Sequence, residues 1–244
     1  MKLSRIAIPL VVALIAGVLG YMKSADNNKT TTLSPEEQFD AALATMPSFQ
    51  VLKEQEPQFW VQMRTRAMAL QKEGKTEQQI IDIIQPQILQ KQVARLQQAP
   101  DDQVVLYMKV NMEQTAAVQK VSDDSCYRFL FPAVKGGVNP MRILPQEMLR
   151  YRMNVDANMM RSAYGPNKHT VTQQERDQAL EDLRPVVAQL AQKYGQDMEI
   201  MSQPEKGVGK EKVTCDIVRD LWAGVLALPE AKAAGIVRYT SSEM

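Results

Sequence analysis

The chain has 244 residues, 45% of them hydrophobic and 23% charged, with a formal net charge of +1. With Lys2, Arg5 and Lys23 set aside, 26 basic residues face 28 acidic ones. A body so near neutrality argues against electrostatic binding of nucleic acid, which needs a basic surface, while its length is enough to bury a core as one large domain or two small ones.

Lys2 and Arg5 precede an uncharged run that opens at Ile6 and closes at Met22. As a helix its 17 residues span roughly 25 Å, the short end of what a bilayer core requires. Pro9 sits near the entrance, where a missing N–H costs little. The run is longer than a usual signal-peptide core of roughly 7–15 residues, and its cleavage sites are poor. Cleavage after Ala25 would put Lys23 where a small residue belongs, although Val18-Leu19-Gly20 is passable. No cysteine follows the run to carry a lipid. The expectation is an uncleaved anchor, with a cleaved signal as the alternative. Lys2 and Arg5 favour a cytoplasmic N-terminus, although Lys23 and Lys29 oppose it. No second run of spanning length follows, so the body is expected beyond the membrane. This reading gives a single-pass protein of a bacterial inner membrane with its C-terminal domain in the periplasm. The segments are a cytoplasmic tip and transmembrane signal-anchor over 1–22, a flexible tether over 23–33 and a helical domain over 34–244, with a subdomain boundary placed near 132–145.

Ser34, Pro35 and Glu37 form a capping-box pattern that opens a first helix, ending near Met46 and Pro47. Phe59, Trp60, Met63, Ala67 and Leu70 share one helical face over about 55–73. Gly74 stops that helix and Thr76 caps the next. Its stripe comprises Ile80, Ile81, Ile84, Ile88, Leu89, Val93 and Leu96, and Pro86 predicts a kink. Pro100, Asp101 and Asp102 open a helix to about Val121. The aromatic stretch over 122–132 reads as a short buried helix or turn held by Cys126. Residues 132–145, with Gly136 and Gly137, form the clearest loop. A helix over about 145–163 turns Met148, Leu149, Val155 and Met159 inward. Thr172 and Glu175 make another capping box. The helix they open carries Ala179, Leu183, Val186, Val187, Leu190 and Tyr194 on one face, with a second kink predicted at Pro185. After a polar loop over 202–210, Val213, Ile217, Leu221, Trp222 and Val225 line the last long helix. Pro229 and Glu230 begin a short final one. The fold class is therefore all-α, a multi-helix globular bundle preceded by one N-terminal transmembrane helix.

Cys126 and Cys215 lie 89 positions apart. In an exported chain they are expected to form a structural disulfide, and loop-closure entropy puts such a bond at about 4–5 kcal/mol. No catalytic, cofactor or metal motif stands out. Gly207, Gly209 and Lys210 suggest a phosphate loop, but Pro204 and Glu211 occupy the positions that need Gly and Ser or Thr. His169 is the sole imidazole and reads as a surface residue, which disfavours a zinc site and histidine base catalysis. Met148, Met153, Met159, Met160, Met108 and Met112 could in principle bind Cu(I), but their spacing fits flexible core filler. The pairs Asp123–Asp124 and Glu181–Asp182 read as helix cap and solvated face, because adjacent carboxylates do not face one another. Arg142, Arg150, Arg152 and Arg161 could meet an acidic partner; the plain alternative is a salt-bridged helix surface.

In general style alone, the chain looks like the small single-anchor helical envelope proteins of bacteria, which usually bind another protein. The functional expectation is a non-enzymatic, membrane-anchored periplasmic binding protein without a cofactor. It would be an immunity protein against an exported toxin or an accessory factor of an envelope complex, with a protein partner and no nucleic acid. The alternatives are a cell-envelope hydrolase using acidic residues and, more weakly, a methionine-based copper chaperone.

Overall fold

A computed structural model describes residues 34–43, 46–166 and 168–242. The anchor expected between Ile6 and Met22, and the tether after it, lie outside the described residues. Among the described residues the fold is all-α, and no helix is long and apolar enough to cross a membrane.

The first three helices are α1 (Pro35–Leu43), α2 (Pro47–Gln55) and α3 (Pro57–Lys72). Ser34 and Glu37 form the expected reciprocal cap: the Glu37 N–H donates to Ser34 Oγ at 3.2 Å and the Ser34 N–H to Glu37 Oε2 at 2.7 Å. α2 is an addition to the sequence reading. Pro47 and Pro57 each occupy a first-turn position, where the missing N–H costs nothing, so the chain restarts a helix at each proline. α2 buries Phe49, Val51 and Leu52. Asp40 ties the three together, accepting from Trp60 Nε1, Arg64 Nη1 and Lys53 Nζ, each at 2.9 Å.

α4 (Glu77–Gln98) starts at the Thr76–Gln79 capping box and runs through Pro86. α5 (Asp101–Val121) is the central element, in contact with α6 (Asp123–Leu130), α8 (Gln146–Ser162), α10 (Glu211–Leu226) and α11 (Glu230–Ser241). The expected loop over 132–145 carries the one-turn α7 (Pro132–Lys135) and a 3-10 turn, Pro140–Arg142. Helices on both sides of it contribute to one continuous hydrophobic core. α9 (Gln173–Tyr194) runs through Pro185. Its cap is half of the expected box: Thr172 Oγ1 accepts from the Glu175 N–H, but the Glu175 carboxylate turns instead to His169 and Arg238. Two further 3-10 segments, Gly195–Met201 and Pro204–Gly207, fill the polar loop before α10.

Cys126 of α6 and Cys215 of α10 are fully buried at a Cα–Cα separation of 6.3 Å, joined as the expected disulfide. The same corner is closed by polar contacts. Tyr127 Oη donates to the Pro204 carbonyl at 2.6 Å, and Lys135 bridges Asp124 and Glu211. Gly207 is required there: a Cβ would lie 2.6 Å from Thr214 Oγ1 and 2.7 Å from Tyr127 Cε2.

Two outcomes follow at this corner. Gly207→Ala overpacks it and should lower stability by about 1–3 kcal/mol in urea unfolding. Gly137→Ala, where a Cβ meets only Pro132 at 3.4 Å, should stay within about 0.5 kcal/mol of the parent. Separately, the Lys135 ammonium and the Gly209 N–H hold the Glu211 carboxyl at about 2, below its ordinary 4.5. A carboxylate depressed on folding stabilises the fold above its unfolded value and loses that contribution as pH falls through the folded one. Urea midpoints should therefore fall between about pH 4.5 and about pH 2, and Lys135→Gln should flatten that part of the profile. An unchanged acid limb in the variant contradicts this.

Candidate interaction surface

The four arginines singled out in the sequence part company on α8 and the turn before it. Arg152 points inward and is 4% exposed. Its Nε donates to Asp156 Oδ1 at 2.6 Å, one helical turn on, and its Nη1 donates to Asn111 Oδ1 of α5. The guanidinium lies 4.5 Å from the centre of the Tyr107 ring. Asn111, Asp156 and Tyr107 are all buried. Burial opposes charge on the guanidinium, but the Asp156 carboxylate, with Tyr107, outweighs it and holds Arg152 above the ordinary arginine range. Burial pushes the Tyr107 hydroxyl up to about 12. Tyr107 Oη, Asn111 Nδ2 and Arg152 Nη2 are buried and make no hydrogen bond of ordinary geometry among the described residues. The cluster thus orients α8 on α5 at an energetic cost that apolar packing would not incur.

The opposite face of α8 exposes Glu147, Arg150, Tyr151, Asn154, Asn158 and Arg161. Spacings of three and four place them on one strip, and none is aliphatic. Tyr151 is 49% exposed. Just past the helix, Tyr164 is capped by the Arg95 guanidinium, 4.7 Å from its ring centre, and Arg95 is itself paired with Glu56 at 2.7 Å. This stack ties the C-terminal end of α8 to α4 and to the start of α3. Arg142 is exposed in the Pro140–Arg142 turn. Arg142, Arg150 and Arg161 are the described arginines whose side chains have no partner. The others are engaged by acids, amides, hydroxyls or carbonyls, as Arg64 is by Asp40, Arg184 by Glu181 and Arg219 by Gln119.

The remaining sequence candidates have structural occupations. Cys126 and Cys215 are bonded to each other. His169 is half-buried rather than free at the surface: its Nε2 lies 2.8 Å from Glu175 Oε2. Glu175 also accepts from Arg238 Nη1 at 3.0 Å, while Arg238 Nη2 donates to Asp101 and to the Ala99 carbonyl. That network clamps α11 against the starts of α5 and α9, and no local sequence pattern announces it. Asp124 pairs with Lys135, Glu181 with Arg184 and Asp182 with Lys232, while Asp123 accepts from Gln119. Met108, Met159 and Met160 are buried in the core, and Met112, Met148 and Met153 pack against it. Lys210 and Lys206 border a polar cavity of about 400 Å³, but Asp197 and Glu199 neutralise them, each at 2.6 Å. Among the described residues no cluster of His, Cys, Asp and Glu could hold a metal ion.

Asp156→Ala leaves Arg152 buried and uncompensated, and should cost about 3–5 kcal/mol in urea unfolding. The paired replacement Arg152→Met with Asp156→Leu should recover most of that loss. Arg150→Gln should stay within about 0.5 kcal/mol of the parent. Equal losses in all three variants would show that the two arginines are not divided between core and surface. The chain matches no protein-family model, no curated protein and no solved structure, so its functional reading rests on these residues alone.

Proposed function

We propose that this chain is a membrane-anchored, periplasm-facing binding protein that grips a protein partner through the outer strip of α8. The observation that carries the reading is the strip's chemistry: Arg150 and Arg161 without partners among the described residues, beside exposed Tyr151, Asn154 and Asn158. Arginine and tyrosine are the residues that dominate the energetics of protein interfaces. A rigid helix held from beneath by Arg152 and at its end by Tyr164 offers them with little ordering cost on binding. The placement is supported by Lys2 and Arg5 ahead of the apolar run, and by the disulfide, which suits an oxidising compartment. Immunity against an exported toxin and service to an envelope complex are two forms of the same mechanism, occlusion or scaffolding by a helical surface. The identity of the partner separates them.

A photo-crosslinking side chain at Tyr151, introduced into the full chain in its native membrane, should yield a discrete adduct with another protein. The same group at Gln189, exposed on α9, should not. Adducts of equal yield from both positions, or none from Tyr151, would contradict the reading.

A further inference from the structure

We infer that the partner meets α8 with an acidic helix whose carboxylates stand about three turns apart and engage Arg150 and Arg161; this deepens, and rests on, the reading of that strip as the grip. The geometry sets the spacing. Eleven residues of α-helix advance about 16 Å and return to within about 20° of the starting direction, so Arg150 and Arg161 project from the same line of α8. Asn154 lies between them on that line and Tyr151 and Asn158 run along its edge, all of them exposed. A second helix laid along the strip can place its own acids on the same three-turn repeat, and each guanidinium fork takes a carboxylate by two parallel hydrogen bonds. Amides and a phenol between the ends supply neutral hydrogen bonds.

Charge selects the occupant. Among the described residues no acid pairs with either of the two guanidinium groups. They are too few for an anionic membrane surface, which is held by clusters of roughly 4–8 basic side chains. The strip has no aliphatic side chain to insert into lipid, and Glu147 at its N-terminal end repels a continuous polyanion such as nucleic acid. Two separated arginines with neutral donors between them suit two separated carboxylates.

The test uses the Tyr151 crosslink in the full chain. The partner segment is identified by mass spectrometry, made as a peptide and titrated against the purified full-length chain in detergent. The expected segment carries Asp or Glu at both ends of a three-turn stretch. Its affinity should fall at least about tenfold when those acids become amides, and by a similar factor in the Arg150→Gln, Arg161→Gln chain. Lys72→Gln with Lys75→Gln, at exposed positions at the end of α3 and in the turn after it, should leave it unchanged. A captured segment that lacks the paired acids, or one whose binding survives both the amide changes and the arginine changes, overturns the acidic-helix inference and leaves α8 as the grip. Crosslinks to lipid alone, or to no protein, remove the grip itself.

Discussion

One guanidinium taken out of water decides how α8 sits. Arg152 is held between Asp156 on its own helix and Asn111 on α5, over the face of Tyr107. A buried charge cannot slide or turn without losing partners that cost several kcal/mol to replace, so the pair fixes both the rotation and the register of the helix. The consequence is geometric. Residues two apart on a helix differ by about 200°, so turning Arg152 inward turns Arg150 outward. Arg161 lies near the direction of Arg150 and goes with it. The exposed strip is therefore the reverse side of the buried cluster.

A second buried guanidinium clamps the start of α5. Arg238, 1% exposed, reaches Asp101 at the start of α5 and Glu175 at the start of α9. Both acids sit in the first turn of a helix, where negative charge is already favoured by the unpaired N–H groups. α5 thus receives one buried arginine near its start and another, Arg152, farther along. Together with the Cys126–Cys215 bond between α6 and α10, these contacts hold the central helix on several sides. The outer helices α1 to α3 share the same hydrophobic core, α2 packing directly on α8, and are tied further by the Asp40 and Glu56 nodes.

Helix periodicity and cap chemistry made most of the fold legible in the sequence. The stripes of α3, α9 and α10, that of α4 at Ile80, Ile84, Ile88, Leu89, Val93 and Leu96, the Ser34 box, the Thr76 cap and the pairing of the cysteines stand as read. Contacts remote in sequence were not legible. The restart of a helix at Pro47 is a local event, but the burial of Phe49 and Leu52 that stabilises it depends on elements far along the chain. Glu175 carries a capping signature, yet its carboxylate is taken by an arginine 63 positions away. Arg152 did leave a trace. It falls on the same helical face as Leu149, Val155, Met159 and Met160, with Asp156 one turn on, which is the pattern of a charge paired inside an apolar stripe. In chain order the arginines look alike, whereas the 3.6-residue period separates Arg152 from Arg150 and Arg161.

The central claim is that α8 is locked from within and therefore presents its outer strip as a rigid surface. Native-state hydrogen exchange of the full chain tests it most directly. The amides of the Arg152–Asp156 turn should exchange only when the whole domain unfolds, with protection matching that around Cys215 in α10. Exchange of that turn through local opening, while α10 stays protected, would contradict the account.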